Sequence, residues 1–188
     1  RCLVGSEMCI RDSNNTRLLL KLVNDVLELS RIESGNMSFH CEDCSAHHFA
    51  ETVYQTHQVI ILPPVEFIKE FPDEDVTIHI DRMRLTQVIT NFLGNAKKFT
   101  SQGHIKLGYF CDKEKKEIHF FVEDTGAGIP KEELQMIFER FYKRNEFVQG
   151  VGLGLAISKV IVEKMNGHID VQSEVNKGSR FTAVLPYL

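Results

Sequence analysis

The stretch from Ile105 to Asp124 constrains the fold of this chain most. Ile105, Leu107 and Tyr109 alternate with Lys and Gly, the charged tract Asp112 to Glu117 interrupts the pattern, and Ile118, Phe120 and Val122 resume it. Period-two alternation on both sides of a charged turn predicts an antiparallel hairpin with one buried face. Such a face needs an apolar layer to cover it. The segment before the hairpin supplies one at the helical period: after Asp81, which stands where an N-cap belongs, Leu85, Val88, Ile89, Phe92, Leu93 and Ala96 mark a buried stripe reaching about Phe99.

The rest of the chain reads the same way. From Asn14 to about Glu33, Leu19, Leu22, Val26 and Leu29 recur at three-four spacing, widened by Leu18, Val23, Leu27 and Ile32, and the helix breaks near Ser34-Gly35. A stripe that wide calls for a partner helix, in cis or from a second copy, or for a core to fold onto. A short strand around Met37 to Glu42 follows, then a helix from about Ser45 to Ile61 ahead of Pro63-Pro64. Brief strands are expected near Val65 to Phe71 and Val76 to Ile80. After the hairpin come a short helix from Pro130 through Phe138, a polar loop to Gly152, a helix from Leu153 to Met165, and strands from His168 to Val175 and Ser179 to Leu185. Helices and strands that do not alternate as strict βαβ units predict an α+β fold, a two-layer sandwich with helices on one face of a mixed sheet, preceded by one long helix. Residues 1–13 have no clear period and are read as a non-native prefix, residues 14–35 as the long helix, and residues 36–188 as the main domain.

Composition narrows the function classes. Lys and Arg number 22 against 26 Asp and Glu, a net charge of -4, which gives no electrostatic reason to expect nucleic acid or an anionic membrane surface. The longest apolar run, around Val59 to Leu62, falls far short of the roughly 18 to 20 residues of a membrane helix. Five cysteines at irregular spacing do not form a disulfide framework and fit a reducing cytoplasm. Cys41 and Cys44 with His47 and His48 offer two thiolates and two imidazoles, but the spacing is too short for a usual zinc finger.

Three segments carry chemistry. In Asn91-Phe92-Leu93-Gly94-Asn95-Ala96-Lys97-Lys98-Phe99 the helical period brings Asn91, Asn95 and Lys98 together opposite the apolar stripe. A carboxamide oxygen is a neutral hard ligand suited to Mg²⁺, and Lys98 suits phosphate; a solvated polar face explains the same residues equally well. Asp124-Thr125-Gly126-Ala127-Gly128-Ile129-Pro130 joins a strand to a helix, with glycines that permit close backbone approach and an Asp able to accept from an exocyclic amine, or simply a turn with an N-cap. Gly150-Val151-Gly152-Leu153-Gly154-Leu155 runs into a helix N-terminus, where anions are favoured. Lys143 and Arg144 lie in the polar loop before it, and their plain reading is two solvated charges.

In this order and at this separation the three segments resemble the N, G1 and G2 boxes of the sensor histidine kinases, members of the ATPase superfamily that includes DNA gyrase and heat-shock chaperones. Ile137-Phe138-Glu139-Arg140-Phe141-Tyr142 resembles the F box, and Gly178-Ser179-Arg180-Phe181-Thr182 the closing strand motif. Leu27 to Gly35, read as Leu-Glu-Leu-Ser-Arg-Ile-Glu-Ser-Gly, resembles the end of the family's second dimerisation helix. The likeness covers nearly everything after Ser13. It implies a Bergerat-type ATP-binding catalytic domain at 36–188 and half of a dimerisation hairpin at 14–35. Its ligands would be ATP and Mg²⁺, and its partners the histidine-bearing hairpin of a homodimer and a response-regulator receiver domain. The fragment itself would contact neither nucleic acid nor membrane, and would be cytoplasmic.

Carried over by position, the resemblance implies that Asn95 ligates Mg²⁺, that Asn91 and Lys98 meet the metal-phosphate group, and that Phe99 packs against the nucleoside. Asp124 would select adenine, with Thr182 supporting it and Gly126 and Gly128 admitting the base. Gly150, Gly152, Leu153 and Gly154 would form the hinge of an ATP lid, and Ile129, Phe138, Lys143 and Leu155 would complete the contacts. The lid, Glu139 to Val151, is short, and Val151 stands where the family usually has Thr. In the gyrase-type relatives a Glu four residues before the metal-binding Asn is the general base for water, whereas this chain has Asn91 there. A carboxamide cannot take that proton, so phosphoryl transfer to a histidine is expected over hydrolysis, and a non-transferring scaffold is the other alternative. No histidine precedes His40, so the phosphoacceptor is expected on a first dimerisation helix that this chain lacks.

Overall fold

The computed structural model describes residues 3–143 and 151–187, with side chains at Thr16 and from Leu19 onward. Its elements in chain order are α1 (Leu3–Glu33), β1 (Glu42–Ser45), α2 (Ala46–Gln58), β2 (Val65–Glu70), β3 (Thr77–Ile80), α3 (Arg82–Phe99), β4 (Gly103–Asp112), β5 (Glu117–Asp124), α4 (Gly154–Lys164), β6 (His168–Glu174) and β7 (Gly178–Pro186). Two 3-10 turns, Lys131–Glu133 and Met136–Phe138, lie between β5 and α4.

A five-stranded sheet in the order β2-β4-β5-β7-β6 forms one layer. Its pairs are antiparallel except β2 with β4, so the sheet is mixed as expected. The predicted hairpin sets Leu107 opposite Val122 and Tyr109 opposite Phe120. Their side chains share the inner face with Phe181, Ala183 and Leu185 of β7, all buried. Against that face pack Phe49 and Val53 of α2, the stripe of α3 from Leu85 to Ala96, and Ile157, Ile161 and Val162 of α4. Burying this many large side chains at roughly 25 cal/mol per Å² is the main force holding the two layers together. Asp81 caps α3 as anticipated, its Oδ1 accepting from the Arg84 N–H at 3.0 Å, while Oδ2 accepts from the His40 N–H at 2.8 Å.

Three expectations are corrected. No strand forms at Met37 to Glu42. Met37 and Phe39 alternate because both pack on the core, with the Arg84 guanidinium 5.9 Å from the Phe39 ring, whereas the ladder begins at Glu42, pairing with Ile80 in a separate two-stranded sheet. The helix expected from Pro130 to Phe138 is instead the two 3-10 turns, closed by Glu133 N–H to Pro130 O and Glu139 N–H to Met136 O; so short a segment does not repay α-helix nucleation. The first helix does not start at Asn14 but at Leu3, since extending a helix already nucleated is inexpensive even without an apolar period. No helix among the described residues is long and apolar enough to cross a membrane.

Candidate functional site

A cavity of about 660 Å³ opens between α3, the end of β5 and the start of α4, within the range typical of sites for small molecules and cofactors. Part of its lining is acidic and buried. Asp124 closes β5 and is 7% exposed. Its Oδ1 accepts from the Gly126 N–H at 2.8 Å and the Thr100 hydroxyl at 3.4 Å, and the carboxylate also accepts from the Ser179 N–H. Burial nonetheless pushes the carboxyl above its ordinary range, outweighing those three donors. A carboxylate offers about four acceptor sites, which leaves it room for one donor from a ligand.

The same cavity is lined by polar and cationic groups of the helices. Asn91, Asn95 and Lys98 of α3 all line the cavity. The Asn91 Nδ2 donates to the buried Ser158 hydroxyl at 3.1 Å, tying α3 to α4. A Cβ at Gly154 would lie 2.2 Å from Asn91 Oδ1, so the glycine lets the two helices meet here. No side chain caps α4 at Leu153, and Leu153, Gly154 and Leu155 line the cavity, so the positive end of a helix faces an anion-sized space. Lys98 sits 5.2 Å above the Phe99 ring. Burial first, then repulsion from Lys143 and Lys21, lowers its pKa.

The positions inferred from sequence fall into three groups. Asn91, Asn95, Lys98, Phe99, Asp124, Gly128, Ile129, Lys143, Gly152, Leu153, Gly154 and Leu155 converge on this cavity. Gly150 lies outside the described residues. Gly126 stands behind the lining, its N–H donating to Asp124, while Phe138 and Thr182 are not among the lining residues. At Gly126 a Cβ would meet the Phe99 carbonyl oxygen at 2.3 Å, so that glycine serves the crossing of two chain segments. Phe138 faces α4, with Lys159 Nζ 5.8 Å from its ring, and Ile137 lines the cavity in its place. Thr182 pairs with Phe121, and the β7 residue opposite Asp124 is Ser179.

Ser179 is therefore the partner that sequence reasoning missed, although it sits in the closing strand motif; the antiparallel register decides which backbone N–H of that motif meets Asp124, and the Ser179 hydroxyl lies 2.9 Å from that of Ser173. Ser158 was also missed, because one serine on an apolar helix gives no signal. So were Lys21 and Asp25, polar residues one turn apart on α1 that line the same cavity. Cys41, Cys44, His47 and His48 do not come together as a site. Cys41 is exposed, the His47 ring packs edge-on to Phe71, and no group of three or more potential ligands among the described residues is placed to hold a metal.

Comparison with known proteins agrees with this geometry. The family described as histidine kinase-, DNA gyrase B- and HSP90-like ATPase matches residues 80–188. The chain is 35% identical over 179 residues to the sensor histidine kinase WalK of Bacillus subtilis (strain 168), covering 93% of this chain and 29% of that one. It is 37% identical over 180 residues to the sensor histidine kinase RcsC of Salmonella typhimurium, covering 93% of this chain and 19% of that one. The chain thus spans less than a third of either relative. Among solved structures, full-length ShkA in complex with AMPPNP superimposes with a TM-score of 0.84 at 28% identity, covering 97% of this chain and 38% of that one.

Proposed function

Because the chain belongs to the histidine kinase-, DNA gyrase B- and HSP90-like ATPases and has the catalytic-domain fold of sensor histidine kinases, we propose that it binds Mg²⁺-ATP in the α3–β5–α4 cavity and transfers the γ-phosphoryl group to a histidine. The observation that carries this reading is the set of groups that one cavity brings together. A buried acceptor, Asp124, lines it beside Thr100 at the end of α3, and carboxamides, lysines and an uncapped helix N-terminus line it as well, with Asn91 more than two helical turns away from Thr100. That combination suits a molecule that carries both an exocyclic amine and phosphates.

Asp124 accepts from the adenine amino group, and its three protein donors hold the carboxylate in place for that bond. Asn95 offers its carboxamide oxygen to Mg²⁺, which would neutralise phosphate charge. Asn91, oriented by Ser158, Lys98 and the first turn of α4 orient the phosphates. Because Asn91 cannot serve as a base for water, the chain positions and neutralises rather than hydrolyses, which is most of what phosphoryl transfer requires.

The acceptor histidine belongs to a dimerisation hairpin of which α1 is one helix; α1, Leu3–Glu33, contains no histidine. A receiver domain is the onward partner, and the cytoplasm the compartment. The test supplies a histidine-bearing hairpin in trans with γ-labelled ATP and Mg²⁺. Acid-labile phosphohistidine on the hairpin, and none on this chain alone, is expected. Steady phosphate release without the hairpin would establish a hydrolase instead, and neither label nor release would leave a scaffold.

A further inference from the structure

Three lysines from three separate parts of the chain line the cavity: Lys98 at the end of α3, Lys143 beyond the second 3-10 turn, and Lys21 on α1. They lie near enough that both Lys143 and Lys21 depress the Lys98 ammonium. Three carboxylates, Asp25, Asp124 and Glu133, line the same cavity. Burial pushes the Asp25 carboxyl up, against the pull of Lys21. Crowded ammonium groups repel unless an anion comes between them.

The helix that carries Lys21 is fixed against the catalytic domain. Glu28 accepts from the Arg84 guanidinium and the Gln87 carboxamide of α3, with the Arg84 and Glu28 side chains only 19% and 16% exposed. Glu33 pairs with Arg140, and Leu29 and Ile32 pack on the core. Lys21, two turns before Glu28, is thereby held at the cavity mouth.

From this juxtaposition we infer that Lys21 is a polyphosphate-binding residue supplied by α1, so that a nucleoside di- or triphosphate bridges α1 and the catalytic domain. The inference rests on the nucleotide reading of the cavity. Lys98 and Lys143 hold the phosphate chain from the domain side and Lys21 from the helix side, which distinguishes ATP and ADP from adenosine. Linkage makes the effect reciprocal: if docked α1 tightens ATP binding, ATP tightens the docking of α1 by the same factor.

The test displaces a fluorescent ATP analogue with ATP, ADP and adenosine on the full chain and on Lys21→Ala and Lys21→Arg. ATP affinity is expected to fall about tenfold in Lys21→Ala, with adenosine affinity unchanged and Lys21→Arg retaining most of the ATP affinity. Amide exchange in α1 should slow on adding ATP to the wild type but not to Lys21→Ala. Unchanged ATP affinity in Lys21→Ala would overturn the inference while leaving the nucleotide site standing. An equal loss for adenosine would mean that Lys21 acts through packing, which also overturns it. A wild type that binds none of the three ligands would remove the nucleotide reading and this inference together.

Discussion

The surroundings of Asp124 and the lysine cluster of the same cavity are built on opposite principles. Around Asp124 the polar groups are buried and bonded within the protein: Thr100, Asp124 and Ser179 are 4%, 7% and 7% exposed. In the lysine cluster, Lys21, Lys98 and Lys143 are exposed and come from three chain segments whose charges repel. The first is finished before a ligand arrives, so binding there loses little to reorganisation and discriminates by shape and hydrogen bonding. The second is completed by the anion itself, so its strength depends on how much charge the ligand brings. On the proposed nucleotide reading, selectivity for the base and responsiveness to phosphate would rest on these two different kinds of group.

The largest expected effect tests whether the surroundings of Asp124 are as rigid as this implies. Gly178 has φ +109°, and a Cβ there would stand 1.8 Å from the Asp124 carbonyl oxygen. Gly178→Ala should lose about 3 kcal/mol or more in chemical denaturation, because backbone on both sides blocks relief. Lys98→Ala in the lysine cluster should stay within about 0.5 kcal/mol of wild type. Similar losses in both variants would erase the contrast.

A middle-sized effect concerns how the lysine cluster is held together. Arg84→Ala leaves the half-buried Glu28 carboxylate with Gln87 as its remaining donor, which should weaken α1 docking by about 2 kcal/mol. Hydrogen exchange is expected to speed up in α1 while β4 and β5 stay protected. Equal acceleration throughout would show that α1 and the sheet form one cooperative unit.

The smallest effect is a pH signature of the buried Asp124. Because the Asp124 pKa is raised in the folded chain above 3.8, the folded state binds that proton more readily than the unfolded one. The associated stability is present below pH 3.8 and lost as pH rises through the folded value. Asp124→Asn removes the titration, so denaturation midpoints over a pH series should show the wild type losing ground to the variant from pH 3.8 upward. A constant difference would mean the carboxylate is solvated after all.

Much of this arrangement was legible in the residues. The hairpin, the capped α3 and the strands flanking α4 announce themselves through period and caps, because each buries a single face. The site residues on α3 follow from the same period, since the row opposite Leu85 and Phe92 has to face away from the sheet. What stayed hidden depends on tertiary register. Nothing local to Gly178-Ser179-Arg180-Phe181-Thr182 says that Ser179 and not Thr182 meets Asp124; pairing across β5 and β7 decides it. Nor does the pattern of α1 show that Lys21 and Asp25 reach the cavity, since that depends on the Glu28 contact to α3. Phe138 faces α4 while Ile137 lines the cavity, because a 3-10 turn directs successive side chains differently from an α-helix.

The most direct test of the central claim is a titration of the chain with a fluorescent ATP analogue, with and without Mg²⁺, alongside Asp124→Asn. Saturable binding that Mg²⁺ strengthens and that Asp124→Asn loses is the predicted result. Absence of binding in the wild type, or binding that Asp124→Asn leaves intact, would contradict the assignment of this cavity to an adenine nucleotide.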